Sequence, residues 1–185
     1  NDGSGSAVGH VRVYQNISGI WTQIGEDING EAEFDFSGYS VSLSLDGSIV
    51  AIGAYKNDGN GSDAGHVRVY ENISGTWTQI GQDIDGEDFM DNSGYSVSLS
   101  SDGSIVAIGA PFNEGNGYRS GHVRIYENIS GTWTQIGQDI DGEAEGDESG
   151  RSVSLNSDGS IVAIGAIQNN GNGSESGHVR VYENI

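Results

Sequence analysis

Apolar and small polar positions alternate from Tyr39 to Ser44, and then a continuous apolar run begins. Tyr39, Val41 and Leu43 fall on one face and serines on the other, the period of two that marks a half-covered β-strand. Asp46-Gly47 follows as a hairpin turn pair. Ser48 to Ala54 is nearly all apolar, as expected of a strand covered on both faces. A loop rich in Asn, Gly and Asp leads to a new alternating stretch, His66 to Tyr70. The residues ahead of this stretch read the same way. His10 to Gln15 alternates, Asn16-Ile17-Ser18-Gly19 is a turn, and a strand over about Ile20 to Ile28 carries Trp21 and Ile24 as its large apolar groups. An acidic loop, Asn29 to Phe36, closes the unit. Nowhere does a helical period emerge.

Gly9-His10-Val11-Arg12 returns at Gly65, Gly121 and Gly177, always 56 residues on. A fixed period of this size marks units that bury their faces on their neighbours. Four strands per period predict an all-β fold of tandem four-stranded antiparallel blades of β-propeller type. The predicted divisions are 1–36 (two outer strands of a first blade and its loop), 37–92, 93–148, and 149–185 (three strands of a last blade).

Ser-Gly-Tyr-Ser-Val-Ser-Leu-Ser-Ser-Asp-Gly-Ser-Ile-Val-Ala-Ile-Gly-Ala-Pro at 93–111, followed by Gly-His-Val-Arg-Ile-Tyr at 121–126, resembles the FG-GAP repeat. That repeat forms the blades of integrin α-subunit propellers and of many bacterial and algal surface proteins, and the resemblance covers essentially the whole chain. Ser37, Ser93 and Ser149 stand where the family name has Phe, and Gly-Ala-Pro is complete only at Gly109-Ala110-Pro111. The resemblance implies that the Tyr39 strand is innermost in its blade and that the Trp strand is outermost. It also implies an extracellular or cell-surface location. Propellers close with about four to eight blades, so one chain makes an incomplete ring. Self-association, head to tail, or other blades of a longer chain would complete it. Members often carry an Asp-rich calcium loop in the first hairpin of a blade. Asp46, Asp102 and Asp158 each stand alone there and cannot supply the six to eight or so oxygens that calcium takes.

Charge moves the candidate chemistry to another loop. The formal net charge is −20 and Lys56 is the only lysine. Such a surface repels nucleic acid and anionic membranes and favours cations. Asp27, Asn29, Glu31 and Asp35 surround a glycine; they recur as Asp83, Asp85, Glu87 and Asp91, and as Asp139, Asp141, Glu143 and Asp147. Alternate oxygen ligands around a glycine turn suit a hard cation, calcium above all, and the same residues also suit turn hydrogen bonds. All four histidines (His10, His66, His122, His178) occupy one repeat position, one per blade, which predicts a stack between blades rather than a zinc site. Arg12, Arg68, Arg124 and Arg180 are expected to pair with carboxylates of the same or the next blade, Asp46 and its equivalents among them. Trp21, Trp77 and Trp133 would pack between blades or offer a platform to a sugar or peptide. Asn16, Asn72 and Asn128, and Asn60 and Asn172 besides, head glycosylation sequons that are equally turn residues.

Cysteine is absent, no run of 18 apolar residues occurs, and the first residue is Asn, which suggests a processed protein or a fragment. No nucleophile elbow, phosphate loop or His-Glu-x-x-His motif is present, and the expectation is that the chain is not an enzyme. The expected function is a structural or adhesive module of a surface protein, matrix or filament, with cations bridging acidic surfaces. The alternative is a carbohydrate- or protein-binding propeller with a discrete loop site. The repeats differ most at Phe34/Phe36, Phe89/Met90 and Glu145/Gly146, at Tyr55, Phe112 and Gln168, and at Tyr118-Arg119, where a recognition surface would form.

Overall fold

The computed structural model describes residues 5–183. Residues 1–4 of the expected opening loop, and 184–185 of the last division, lie outside the described residues. The described residues are all-β, with no helix. Strands β1 (His10–Val11) and β4 (Ile28–Asn29) pair with each other, as do β2 (Tyr14–Ile17) and β3 (Ile20–Gln23). A full sheet follows in the order β5 (Ser40–Leu43), β6 (Ile49–Ala54), β7 (His66–Ile73), β8 (Thr76–Gln79), with β9 (Ile84–Asp85) returning to pair with the start of β7. The next sheet repeats it as β10 (Ser96–Leu99), β11 (Ile105–Ala110), β12 (His122–Ile129), β13 (Thr132–Gln135) and β14 (Ile140–Asp141). The last holds β15 (Ser149–Leu155), β16 (Ile161–Ala166) and β17 (His178–Glu183). All these strand pairs are antiparallel.

Two sequence expectations need correction. The Trp strand was expected to run through to Ile28, but Gly25 at φ +72° turns the chain first, and Ile28 enters a separate short strand. Asp46 does not reach an arginine. Its carboxylate accepts hydrogen bonds from the Ser44 and Ser48 hydroxyls and the Ser48 amide, and Asp102 does the same with Ser100 and Ser104. Asp158 is bonded likewise by the Ser160 amide and hydroxyl. This is the local side-chain-to-backbone bonding that favours Asp in turns.

The core lies between sheets. Ala51, Val67 and Val69 on one face of the first full sheet meet Val97, Leu99, Val106, Ile108, Tyr126 and Trp133 of the second. Val11, Val13 and Ile28 meet Val50, Ile52 and Tyr70 in the same way, and Ala107 and Val123 meet Val162 and Ile164. Each sheet thus has two apolar faces, which is why the β6 sequence Ile-Val-Ala-Ile-Gly-Ala lacks alternation. The inner-strand serines of the two full sheets are half-buried against the next sheet, whereas Ser152 and Ser154 of the last sheet are exposed. The Ser40 hydroxyl donates to the Gly94 carbonyl at 2.7 Å, and the Leu99 amide donates to the Ser42 hydroxyl at 2.9 Å, tying one inner strand to the next. Gly53 allows that approach, because a Cβ there would lie 2.1 Å from the Gly94 carbonyl oxygen.

Candidate functional site

Each junction between sheets carries the same charged group. At the first, the Arg68 guanidinium sits 3.2 Å from the Glu31 carboxylate of the preceding acidic loop and donates to the Asn29 carbonyl at 3.1 Å. His66, 2% exposed, holds its Nδ1 3.9 Å from Glu31 and 3.8 Å from Asp83. At the second, Arg124 pairs with Glu87 at 3.3 Å and donates to the Asp85 carbonyl, and His122 faces Glu87 and Asp139. At the third, Arg180 and His178 meet Glu143, and Arg180 donates to the Asp141 carbonyl. Arginines were expected to pair with carboxylates of the same or the next blade, whereas Arg68, Arg124 and Arg180 reach back to the unit before. The period brings the groups together, since strand position 68 of one unit faces loop position 31 of the unit before. In the first unit Arg12 instead forms a two-pronged pair with Asp27, both contacts at 2.8 Å.

The electrostatics follow from burial. Desolvation, helped by the nearby Arg68 charge, lowers the pKa of His66 below its ordinary value. The same causes bring His122 down to about 4, so it is neutral at physiological pH. Hydrogen bonds from Arg12 and Gln23 hold Asp27 at about 2. Burial raises Asp85, Glu87, Asp91 and Asp141.

The four ligand candidates of one loop do not converge. Asp27 turns to Arg12 and Gln23, Asn29 gives its carbonyl to Arg68, and Glu31 faces the next unit. Asp35 is buried and bonds the Ala32 amide and the Asn57 side chain. Asp91 does the same with Asp88 and Asn113, and Asp147 with Ala144 and Asn169. The groups that do gather are Glu31, His66 and Asp83, and Glu87, His122 and Asp139, with ligand atoms within 4.8 Å of one another. One imidazole and two carboxylates differ from the all-oxygen shell of calcium.

Trp77 and Trp133 pack between units. Their indole N–H groups donate to the Ile24 and Ile80 carbonyls of the preceding unit, each at 2.9 Å. Trp21 is exposed.

A second feature was legible only in part, through the divergent positions Tyr55, Phe112 and Tyr118-Arg119. Tyr39, Tyr55, Tyr95, Phe112 and Tyr118 line a cleft of about 430 Å³ with Lys56, Arg119 and Arg151. It crosses three successive units, so no local motif marks it. The one available signal was the departure of these positions from the repeat.

Antiparallel sheets stacked through a recurring charged junction define an all-β repeat protein. Residues 29–70 match the family model of the FG-GAP repeat, so this stretch carries that repeat. No curated protein matches the chain. Among solved structures, one similar to it is a candidate 6-phosphogluconolactonase from Bacteroides uniformis, with 14% identity, a TM-score of 0.64, and coverage of 95% of this chain and 44% of that one. A second candidate 6-phosphogluconolactonase, from Bacteroides fragilis, has 16% identity, a TM-score of 0.51, and coverage of 76% and 35%. Kuenenia stuttgartiensis hydrazine synthase has 14% identity, a TM-score of 0.54, and coverage of 85% and 47%. At such identities the likeness concerns the fold alone, and the chain spans less than half of each of these proteins. The expectation that the chain is not an enzyme is overturned by this finding. It rested on missing local motifs, whereas two structures of similar fold bear an enzyme's name. A fold that assembles a site from several sheets needs no such motif.

Proposed function

We propose that the chain is a stretch of propeller-type blades in an extracellular repeat protein with a structural or adhesive role. The observation that carries this reading is the recurrence of one junction at every unit boundary, with arginine and histidine of one unit against the acidic loop of the unit before. Identical junctions suit extension by further units better than a single tuned centre. The two outer faces of the stack support the same reading. Val67 and Val69 are fully buried, while their equivalents Val179 and Val181 are 67% and 66% exposed. Trp133 is 3% exposed, whereas Trp21 is 67% exposed. Further 56-residue units, from the same chain or a second copy, would cover both faces head to tail. Negative-stain imaging tests stacking of a second copy: rings or filaments support it, and isolated monomers with intact fold contradict it.

Cations enter this proposal between units rather than within one loop, because Glu31 and Asp83 approach the same histidine from consecutive loops. Thermal melts with calcium, zinc or EDTA check that part. An unchanged midpoint in all three removes it.

A further inference from the structure

We propose that the aromatic cleft across the three sheets binds a saccharide bearing a carboxylate or sulfate group. The protein has seven basic side chains against 27 acidic ones. Four of the seven, the repeat-position arginines, are engaged by the acidic loops. The remaining three, Lys56, Arg119 and Arg151, all line this one cleft. A chain so acidic thus gathers its basic groups outside the junctions at a single place, which favours an anion there while the surface elsewhere repels polyanions.

The walls specify more than charge. Tyr39 lies between Tyr55 and Tyr95, with ring centroids at 4.4 Å and 4.9 Å, and Phe112 continues the row 6.3 Å from Tyr95. The Arg151 guanidinium covers Tyr95 at 4.7 Å, and that of Arg119 covers Phe112 at 4.5 Å. Half of Tyr39 and more than half of Tyr118 stay exposed, leaving aromatic surface to meet the C–H groups of a sugar ring. Asp63 and Glu114 also line the cleft and are acceptors for the hydroxyl groups that a saccharide carries in number. Lys56 is held 3.6 Å from Asp63, and Arg151 is paired with the buried Glu148 at 2.8 Å. Arg119 has no carboxylate partner among the described residues, so its fork is open for a two-pronged bond to a carboxylate or sulfate. The volume, about 430 Å³, falls in the range of small-ligand sites.

The repeats diverge where the cleft is built. Tyr39 and Tyr95 become Arg151 in the third unit, Lys56 becomes Phe112, and Asp63 becomes Arg119. The junction positions Glu31, His66 and Arg68 recur unchanged in the following units. The site therefore goes beyond the stacking role, and a chain that stays monomeric can still possess it.

Isothermal titration with an oligogalacturonate, a sulfated galactan oligosaccharide and a neutral cello-oligosaccharide tests the proposal. Binding is expected for at least one charged oligosaccharide and not for the neutral one; the two charged arms tell carboxylate from sulfate. Arg119→Ala should weaken binding about tenfold or more, the loss expected for a charge-assisted contact, at an unchanged melting temperature. Tyr118→Ala, at an exposed ring, should weaken it as well and serves if Arg119→Ala fails to fold. The proposal is overturned if neither charged oligosaccharide binds at millimolar concentration, if the neutral one binds equally, or if both folded variants bind as the parent does.

Discussion

Gly53 and Gly94 meet across two sheets so closely that side chains are excluded. A methyl at Gly53 would lie 2.1 Å from the Gly94 carbonyl oxygen, a contact that only backbone movement relieves. Gly53→Ala should cost about 3 kcal/mol or more in urea unfolding. At Gly47 nothing lies within 4 Å of an added Cβ and only its φ of +72° opposes alanine, so Gly47→Ala should cost about 1 kcal/mol. The sequence places Gly47 in a hairpin turn and Gly53 in a strand, but it does not show the close approach at Gly53, which depends on a neighbour 41 residues away. Histidine is a second residue-scale test. His122 titrates near 4 in the fold, against about 6.5 when unfolded, because burial and Arg124 disfavour its charge. Between those values the unfolded chain binds the extra proton. The contribution is therefore intact above about pH 6.5 and is lost as the pH falls towards 4, up to about 3 kcal/mol. Asp85 and Glu87, raised by burial, act with the opposite sign in their own range. Comparing unfolding midpoints of parent and His122→Gln over this window, with EDTA present, isolates the histidine, and an NMR titration of its imidazole gives the pKa directly.

At the scale of elements, the strands were legible and their partners less so. Alternation at Tyr39, Val41 and Leu43 marks an inner strand, and the continuous run after Ser48 marks one covered on both faces. The two-residue strands β4, β9 and β14 were not legible, because Ile28 or Ile84 alone carries no period. The acidic loop was visible as a cluster, but its division among Arg12, Arg68 and Asn57 depends on which unit stands beside it. Tryptophan separates local from neighbour effects. Trp133 is buried against the preceding unit and bonded to Ile80, so Trp133→Ala should cost about 3–5 kcal/mol. Trp21 occupies the same repeat position with its ring exposed, so Trp21→Ala should stay within about 0.5 kcal/mol. Thermal unfolding of the two variants checks the pair.

For the whole molecule, the 56-residue period makes the all-β repeat legible, because identical strands at constant spacing admit few other arrangements. The aromatic cleft was legible only as divergent loop positions at Tyr55, Phe112 and Tyr118-Arg119, since Tyr39, Phe112 and Arg151 come from three units and meet only when the sheets stack. The same stacking bears on assembly. A junction that recurs at each unit boundary, and outer faces that display what the inner ones bury, support the proposed extendable stack. Sedimentation velocity over a wide concentration range tests this claim most directly. The stacking account predicts reversible, concentration-dependent growth that Trp21→Ala weakens. A single monomeric species at every concentration, with an intact fold, would contradict it.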